Sequence, residues 1–199
     1  RPAAVSLRSD LTGALRPLLV LWFIVVLRSI VISAYQTFLP LLLSGRGGSI
    51  VAGGAAVFLF GGIGAVGGVS GGTLSDRIGR RRMMALSLIL STPLLFLFVR
   101  SHGPWAYVFL GAGGIAIYLS AAVTIVMAQE LMPHRASVAS SIVMGLAWGT
   151  AGLSLTAVGA LGDVIGLERT LTWTLVLSVV ALGAVFLLPA TSRPHGRPA

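Results

Sequence analysis

The sequence predicts an all-α membrane protein, a bundle of six transmembrane helices, and two observations support this fold class. Of the 199 residues, 56% are hydrophobic and only 10% are charged, whereas a soluble domain carries about a quarter charged residues. The apolar residues are also collected into six long runs, each close to the length of about 20 residues that a helix needs to cross the hydrocarbon core. A lipid bilayer is therefore the expected partner of much of the surface.

Short connecting segments separate the predicted spans. The spans cover residues 17–43, 49–71, 83–99, 105–128, 136–161 and 170–188. None of them alternates apolar and polar residues with a period of two, so transmembrane β-strands are not expected. Residues 1–16 lack the apolar core and cleavage site of a signal peptide and are predicted to be a cytoplasmic linker inside a longer protein. Residues 189–199 are predicted to be a cytoplasmic tail.

The arginines predict how the bundle is oriented. All fourteen basic residues are Arg, and basic residues are retained in short cytoplasmic loops. With the N-terminus inside, ten of them lie in inside segments, three lie in outside loops and Arg28 lies within the first span. We therefore expect a multi-pass protein of the plasma (inner) membrane with both termini cytoplasmic. Trp105 and Trp173 then lie at outer helix ends, where aromatic residues anchor helices.

Composition also argues against several functions. The net charge is +9, but the Arg residues are separated by apolar runs instead of being clustered on one face with aromatic residues, so no nucleic-acid partner is expected. Cysteine is absent, and no His/Asp/Glu cluster has the spacing of metal ligands. No Ser–His–Asp set lies at a common depth. We expect no metal, no cofactor and no enzymatic activity.

Small residues recur at helical spacing in two of the spans. In membranes, small residues on one helix face let neighbouring backbones come close together. We expect either a static packing contact or a surface along which helices slide. The residues are Gly64, Gly68 and Gly72 in the second span, and Ser137, Ser141, Gly145 and Gly149 in the fifth.

One acid stands among four Arg residues between the second and third spans, in the segment GTLSDRIGRRR at residues 72–82. Gly72 and Gly79 permit backbone conformations that other residues resist. Asp76 can accept hydrogen bonds from Arg side chains or from N–H groups at a helix N-terminus. Charge alone is consistent with an ordinary cytoplasmic loop, and the alternative is a loop that locks one conformation.

The spacing of this segment resembles the loop signature G-x-L-x-D-R-x-G-R-R of the major facilitator superfamily, which lies between the second and third helices of a six-helix half. The resemblance implies a secondary transporter for a small molecule, with this chain as one half of a major facilitator fold and a missing N-terminal half as its partner. In the family this loop holds the cytoplasmic side closed against the other half. The implied gating residues are Asp76 and Arg77, supported by Gly72, Gly79, Arg80 and Arg81.

Further segments resemble the C-terminal half of the fosmidomycin-resistance branch of this superfamily, from about Arg28 onward. They are AQELMPHR at 128–135, MGLAWG at 144–149, GALGD at 159–163 and FLLP at 186–189. The chain departs from the branch at His134, where Gly is common. The branch implies proton-driven export of small toxic compounds, including phosphonate antibiotics, with protons as the coupling ion.

Arg28 is the one charged residue near the middle of a predicted span. A charge at that depth costs about 3 kcal/mol on insertion scales, so it normally faces a cavity or a partner. Tyr35 and Gln36 follow at i+7 and i+8 and share its helix face. We favour a cavity in which the planar guanidinium binds an anionic substrate, and the alternative is a snorkelling or structurally paired Arg.

Other polar and aromatic residues complete the list of candidates. Pro40 is expected to bend the first span, and Tyr118 and Trp148 are candidates for the cavity wall, with ordinary packing as the alternative. The acids Asp76, Glu130, Asp163 and Glu168 lie at span edges, so a proton-coupling residue is expected in the missing half. Glu130 is expected to pair with Arg77 or Arg80 or to be solvated, and Asp163 and Glu168 to be solvated.

Two other functions remain open from the residues alone. One is a major facilitator half that carries a different cargo, such as a sugar or metabolite. The other is a six-helix structural or channel protein that acts as a homodimer.

Overall fold

The structure, a computed structural model of the chain, describes residues 7–188, with only the backbone described at 7–14 and at 134. It contains six long helices, and all six are long and apolar enough to cross a membrane, which confirms the predicted fold class. The helices are α1 Leu7–Gly45, α2 Ile50–Ile78, α3 Arg80–Arg100, α4 Pro104–Leu131, α5 Ala136–Ile165 and α6 Leu167–Val185. The described range contains no β-strand.

The helices extend beyond the predicted spans at several ends. Helix α1 is already formed at Leu7, the first described residue, which lies inside the segment predicted as a linker, and α2 continues to Ile78. Hydropathy marks only the apolar part of a helix, whereas backbone hydrogen bonds continue into the polar residues that follow. The rest of the predicted linker, 1–6, and the whole predicted tail, 189–199, lie outside the described residues.

Short connections make consecutive helices antiparallel and give the bundle two ends. We call the end at which α2 stops and α3 starts the Arg-rich end, because Arg77, Arg80, Arg81 and Arg82 lie there. The connections α1–α2, α3–α4 and α5–α6 lie at the opposite end. Helix α1 is the most buried helix, and α2 and α5 are the least buried.

Three helices depart from regular α geometry. Helix α2 contains a π-helical segment at Phe58–Ile63, and α5 contains one at Ile142–Leu146. Helix α4 is interrupted between Tyr118 and Ala121. Helix α1 is helical through Pro40, so this proline does not end the helix.

The apolar core is divided into two clusters. One cluster, which includes Leu18, Met83 and Leu188, fills the Arg-rich end, and the other fills the opposite end. Some of the buried polar side chains lie at or next to the depth where the clusters meet. We call them the mid-depth polar layer: Arg28, Ser29, Ser87, Ser91, Ser120 and Ser178.

Glycines bring the backbones of α2 and α4 into direct contact. A Cβ on Gly67 would overlap the carbonyl of Ile115, and a Cβ on Gly71 would overlap the carbonyl of Leu119. The predicted contact through Gly68 and Gly72 is therefore off by one position at these two residues. Gly64 does take part, next to the Tyr118 ring. The helix needs glycine at 67 and 71 because backbone, not side chain, occupies the facing surface.

The small residues predicted to form a contact face on α5 do not pack within the described bundle. Ser137, Ser141, Gly145 and Gly149 are all exposed. The buried face of this helix is instead formed by residues at the same spacing, shifted by two positions: Ala139, Val143, Ala147 and Ala151.

Candidate functional site

The interruption of α4 exposes backbone groups at mid-depth, and a side chain from α3 satisfies them. The first part of α4 ends at Tyr118 and the second begins at Ala121. The Oγ of Ser87 donates to the carbonyls of Ala116 and Ile117, at distances of 2.7 and 3.2 Å. Leu119 and Ser120 keep right-handed helical dihedral angles, so the interruption is a break in the hydrogen-bond ladder. Carbonyls freed at membrane depth need hydrogen-bond donors from protein or water. Ser87 performs that role here.

Arg28 reaches the same interruption from α1. Its Nη1 donates to the Oγ of Ser120 at 2.6 Å, and Ser120 Oγ lies 3.1 Å from Ser87 Oγ. Arg28 is only 4% exposed. Its Nε is buried and has no hydrogen-bond partner among the described residues. Three helices are therefore joined at mid-depth through a guanidinium that is only partly paired.

No carboxylate neutralises Arg28. Of the acids with described side chains, Asp76 and Glu130 lie at the Arg-rich end and Asp163 and Glu168 at the opposite end, and none forms an ion pair with Arg28. The remaining acid, Asp10, lies 18 residues earlier in the same helix, which corresponds to about 27 Å of helix.

Gln36 and Tyr118 form a second polar contact between α1 and α4. Gln36 Nε2 donates to the Tyr118 hydroxyl at 2.8 Å, and both side chains are half-buried. Gly61 of α2 lies beside the Gln36 amide, because a Cβ at that position would be 3.1 Å from Nε2. The structure thus brings together two residues that the sequence proposed separately.

Tyr35 does not line a cavity in the described bundle. Its side chain is fully buried, stacked on Phe60 at 5.6 Å and tilted against Phe98 at 6.2 Å between ring centroids. The face that Tyr35 shares with Arg28 is packed by α2 and α3 at this height, and a role of Tyr35 in cargo binding stays a prediction. Trp148 is exposed on α5.

The segment predicted as a loop at the Arg-rich end is almost entirely helical. Only Gly79 separates α2 from α3, and its φ is +94°, a conformation that favours glycine. Gly72 lies within regular helix, so its conformational freedom is not used. The Asp76 side chain is 65% exposed, and its Oδ1 lies 3.9 Å from Arg80 Nη2, a long distance for an ion pair. Arg77 is also exposed.

Arg80 and Arg81 connect this end to other helices. Arg80 Nη2 lies 2.7 Å from Glu130 Oε1 at the end of α4. Of the two residues proposed to pair with Glu130, Arg77 and Arg80, the structure therefore selects Arg80. Arg81 Nη2 donates to the Phe186 carbonyl at 2.7 Å, and its guanidinium lies 5.6 Å from the centre of the Phe186 ring. Asp76 and Arg77 are left facing outward.

At the opposite end, Arg46 joins three helices. Its Nε donates to Glu168 Oε1 at 2.7 Å, at the start of α6. Its Nη1 and Nη2 donate to the carbonyls of Ser101 and Val99, at 3.3 and 2.5 Å, and so complete the C-terminal end of α3. More than half of the Glu168 side chain (52%) is exposed, as expected for a solvated acid, and it also pairs with an Arg from a distant loop.

Sequence reasoning missed Arg46, Ser87 and Ser120. Serines are common in membrane helices, and no Pro or Gly stands at residues 119 and 120 to mark the interruption of α4. The one signal in the sequence was Arg28, because a buried Arg needs hydrogen-bond partners. That signal could not identify Ser120 and Ser87 among the many serines.

The chain is similar in sequence to known proteins. A family model described as the Major Facilitator Superfamily matches residues 2–154. The chain is 36% identical over 137 residues, or 69% of its length, to the "Uncharacterized MFS-type transporter YfnC" of Bacillus subtilis. It is 28% identical over 180 residues, or 90% of its length, to the "Fosmidomycin resistance protein" of Escherichia coli. These matches span only 33% and 44% of the two relatives.

Proposed function

Since the chain belongs to the major facilitator superfamily, we propose that it forms the C-terminal six-helix half of a secondary transporter that exports small toxic compounds. The observation that carries this proposal is the polar contact between α1 and α4, where Arg28 and Gln36 of α1 reach Ser120 and Tyr118 at the interruption of α4. Discontinuous helices near the bilayer midplane commonly form the substrate sites of transporters.

The exposed faces of α2 and α5 support a missing N-terminal half. These two helices are the least buried, and α5 presents the small residues Ser137, Ser141, Gly145 and Gly149 on its exposed side. Small residues on an uncovered face are suited to close helix–helix contact. A second six-helix half packed there would enclose the half-buried Gln36–Tyr118 pair in a cavity.

The Arg-rich end supports a gating role for Asp76 and Arg77. Arg80 and Arg81 are already bound to Glu130 and Phe186 within the described bundle, whereas Asp76 and Arg77 are exposed. They are thus available to contact the other half when this end closes. The excess of Arg here places this end, and both chain termini, on the cytoplasmic side of the inner membrane in our proposal.

The proposed cargo class is supported by the name of one relative, and the proposed coupling ion comes from the resemblance to the fosmidomycin-resistance branch. One of them is named a fosmidomycin resistance protein, so phosphonate antibiotics are the first cargo class to test, with proton antiport as the driving reaction. Among described side chains, no acid or His lies at the depth of Arg28. We therefore place the titrating group in the other half. Members of this family transport molecules and are not enzymes.

The test is a susceptibility assay with the complete gene in a bacterial host that lacks its own fosmidomycin exporter. We expect the wild-type protein to raise the inhibitory concentration of fosmidomycin, and Asp76→Asn to reduce this protection while membrane insertion is unchanged. Asp163→Asn, which removes an exposed acid at the opposite end, is the matched control. Wild-type protection by Asp76→Asn would remove the gating role.

Two outcomes would redirect the proposal. Protection against another compound but not fosmidomycin would retain transport and change the cargo, for example to a sugar or metabolite. Cross-links between exposed α5 faces of two copies, in an active protein without a second half, would favour a homodimer.

A further inference from the structure

From the geometry around Arg28 we infer a binding site for an oxyanion, meaning a carboxylate, phosphate or phosphonate group, at mid-depth between α1 and α4. The inference rests on the proposed transport function and deepens it, because it identifies the residue that recognises the charged part of the cargo. Ser120 and the Gln36–Tyr118 pair are the neighbouring groups that position the rest of the molecule.

The positive charge of Arg28 is not balanced by a described acid. Arg28 is 4% exposed, and no described acid forms an ion pair with it. A buried charge is tolerated when it is paired and hydrogen-bonded. One neutral hydroxyl, that of Ser120, does not neutralise a guanidinium. An anion supplies both the missing charge and the missing acceptors.

The guanidinium of Arg28 is also incompletely hydrogen-bonded among the described residues. Nη1 is bound to Ser120, but Nε is buried without a partner. Arg binds oxyanions through a planar fork of parallel N–H groups. Ser120 holds the Nη1 corner at 2.6 Å, so the guanidinium is oriented before an anion arrives.

The composition of the mid-depth polar layer also favours an anion. It contains one Arg and five Ser residues and no acid. The hydroxyls of Ser29 and Ser178 are also buried without partners. Such a layer offers hydrogen-bond donors and positive charge, which select an anion over a cation.

Position connects this site to the proposed cavity. Gln36 is eight residues after Arg28 on the same helix, which corresponds to about 12 Å. The Tyr118 that binds Gln36 is two residues before the Ser120 that binds Arg28. A small anionic molecule between α1 and α4 can therefore place its charged group at Arg28 and its polar body at Gln36 and Tyr118.

A purely structural role for Arg28 makes a different prediction. If Arg28 only braces the interruption of α4, its contribution ends at the Ser120 hydroxyl, and added oxyanions have no site. Stability measurements with and without oxyanions separate the two roles.

The experiment measures the thermal unfolding of the purified full-length protein in detergent. Sodium phosphate, methylphosphonate or acetate is added to separate samples at constant ionic strength, with sodium chloride as the reference. The variants are Arg28→Gln, Arg28→Lys and Ser120→Ala. Arg100→Gln is the control, because it removes an Arg that is exposed at the end of α3.

We expect oxyanions to raise the apparent Tm of the wild-type protein and of Arg100→Gln. The oxyanion concentration that gives half of this shift should rise by about tenfold or more in Arg28→Gln, because a charge-assisted bond to an Arg is lost. Arg28→Lys keeps the charge without the fork and should be intermediate. Ser120→Ala keeps the guanidinium and should retain binding with a smaller loss, so the test stands even if Arg28→Gln does not fold.

This experiment tests the oxyanion site separately from the proposed efflux function. An oxyanion shift that depends on Arg28 supports the site even if no efflux is found. An equal shift in Arg28→Gln, or no shift in the wild-type protein, overturns it even if efflux is found. Competition between phosphate and fosmidomycin assigns the site to the cargo, whereas a phosphate effect without competition assigns it to a resident inorganic anion.

Discussion

Arg46 Nε donates to Glu168 Oε1 at 2.7 Å, so the end of α1 is attached to the first turn of α6. The same guanidinium binds the carbonyls of Val99 and Ser101 at the end of α3. The Arg46 side chain is 14% exposed, whereas that of Glu168 is 52% exposed, so the bonds to the two carbonyls are better shielded from water than the ion pair.

We predict that Arg46→Ala lowers the stability of the full-length protein. The change removes an ion pair and leaves carbonyls at the end of α3 without their donor, a loss of about 1–3 kcal/mol. Thermal unfolding in detergent measures it as a lower apparent Tm. Glu168→Gln should have a smaller effect, since the carbonyl bonds remain. Equal effects of the two changes would mean that the ion pair alone matters.

Arg80 and Glu130 give a second prediction, at the Arg-rich end. Their atoms are 2.7 Å apart, but Glu130 is partly exposed. We expect a double-mutant cycle with Arg80→Gln and Glu130→Gln to give a coupling energy of about 0.2–1 kcal/mol, because water screens the pair. The measurement is unfolding of all four proteins. A coupling near zero would show that the two side chains do not interact in the assembled protein.

Gly71 and Gly68 provide a matched pair on α2. A Cβ on Gly71 would overlap the backbone of Leu119, whereas a Cβ on Gly68 would have its nearest neighbour at 3.9 Å. We predict that Gly71→Ala destabilises the bundle by about 1–3 kcal/mol through overpacking. Gly68→Ala should be neutral or stabilise by about 0.5–1 kcal/mol, because Ala is the better helix former. The reverse order of apparent Tm values would place α2 in the register predicted from Gly64, Gly68 and Gly72.

The sequence predicted the six spans because hydropathy is a local property that each helix carries alone. The partners of a residue depend on the rotation and height of its neighbours, and sequence does not give these. Tyr35 and Gln36 are adjacent, yet one packs against Phe60 and Phe98 in the core and the other reaches Tyr118 at the half-buried surface. Arg46 was assigned to a loop correctly, but its contact with Glu168 joins residues 122 positions apart.

The contrast between two tyrosines gives the last prediction, because Tyr35→Phe and Tyr118→Phe remove the same atom in two environments. The Tyr35 hydroxyl is 3.5 Å from the Leu95 carbonyl, a contact too long to contribute much. We expect Tyr35→Phe to leave efflux and apparent Tm close to wild type.

The Tyr118 hydroxyl, in contrast, accepts the Gln36 amide at 2.8 Å at a half-buried position beside the proposed cavity. Its loss should raise the apparent KM for cargo by about two- to tenfold, which corresponds to one ordinary hydrogen bond. The apparent Tm should change little, because water can solvate the half-buried Gln36 amide. Efflux kinetics in membrane vesicles, measured beside unfolding curves, separate the two variants. If Tyr118→Phe instead lowers the apparent Tm and leaves KM unchanged, the Gln36–Tyr118 contact is part of the packing between α1 and α4. A residue of the cargo site should change KM, because its loss weakens cargo binding.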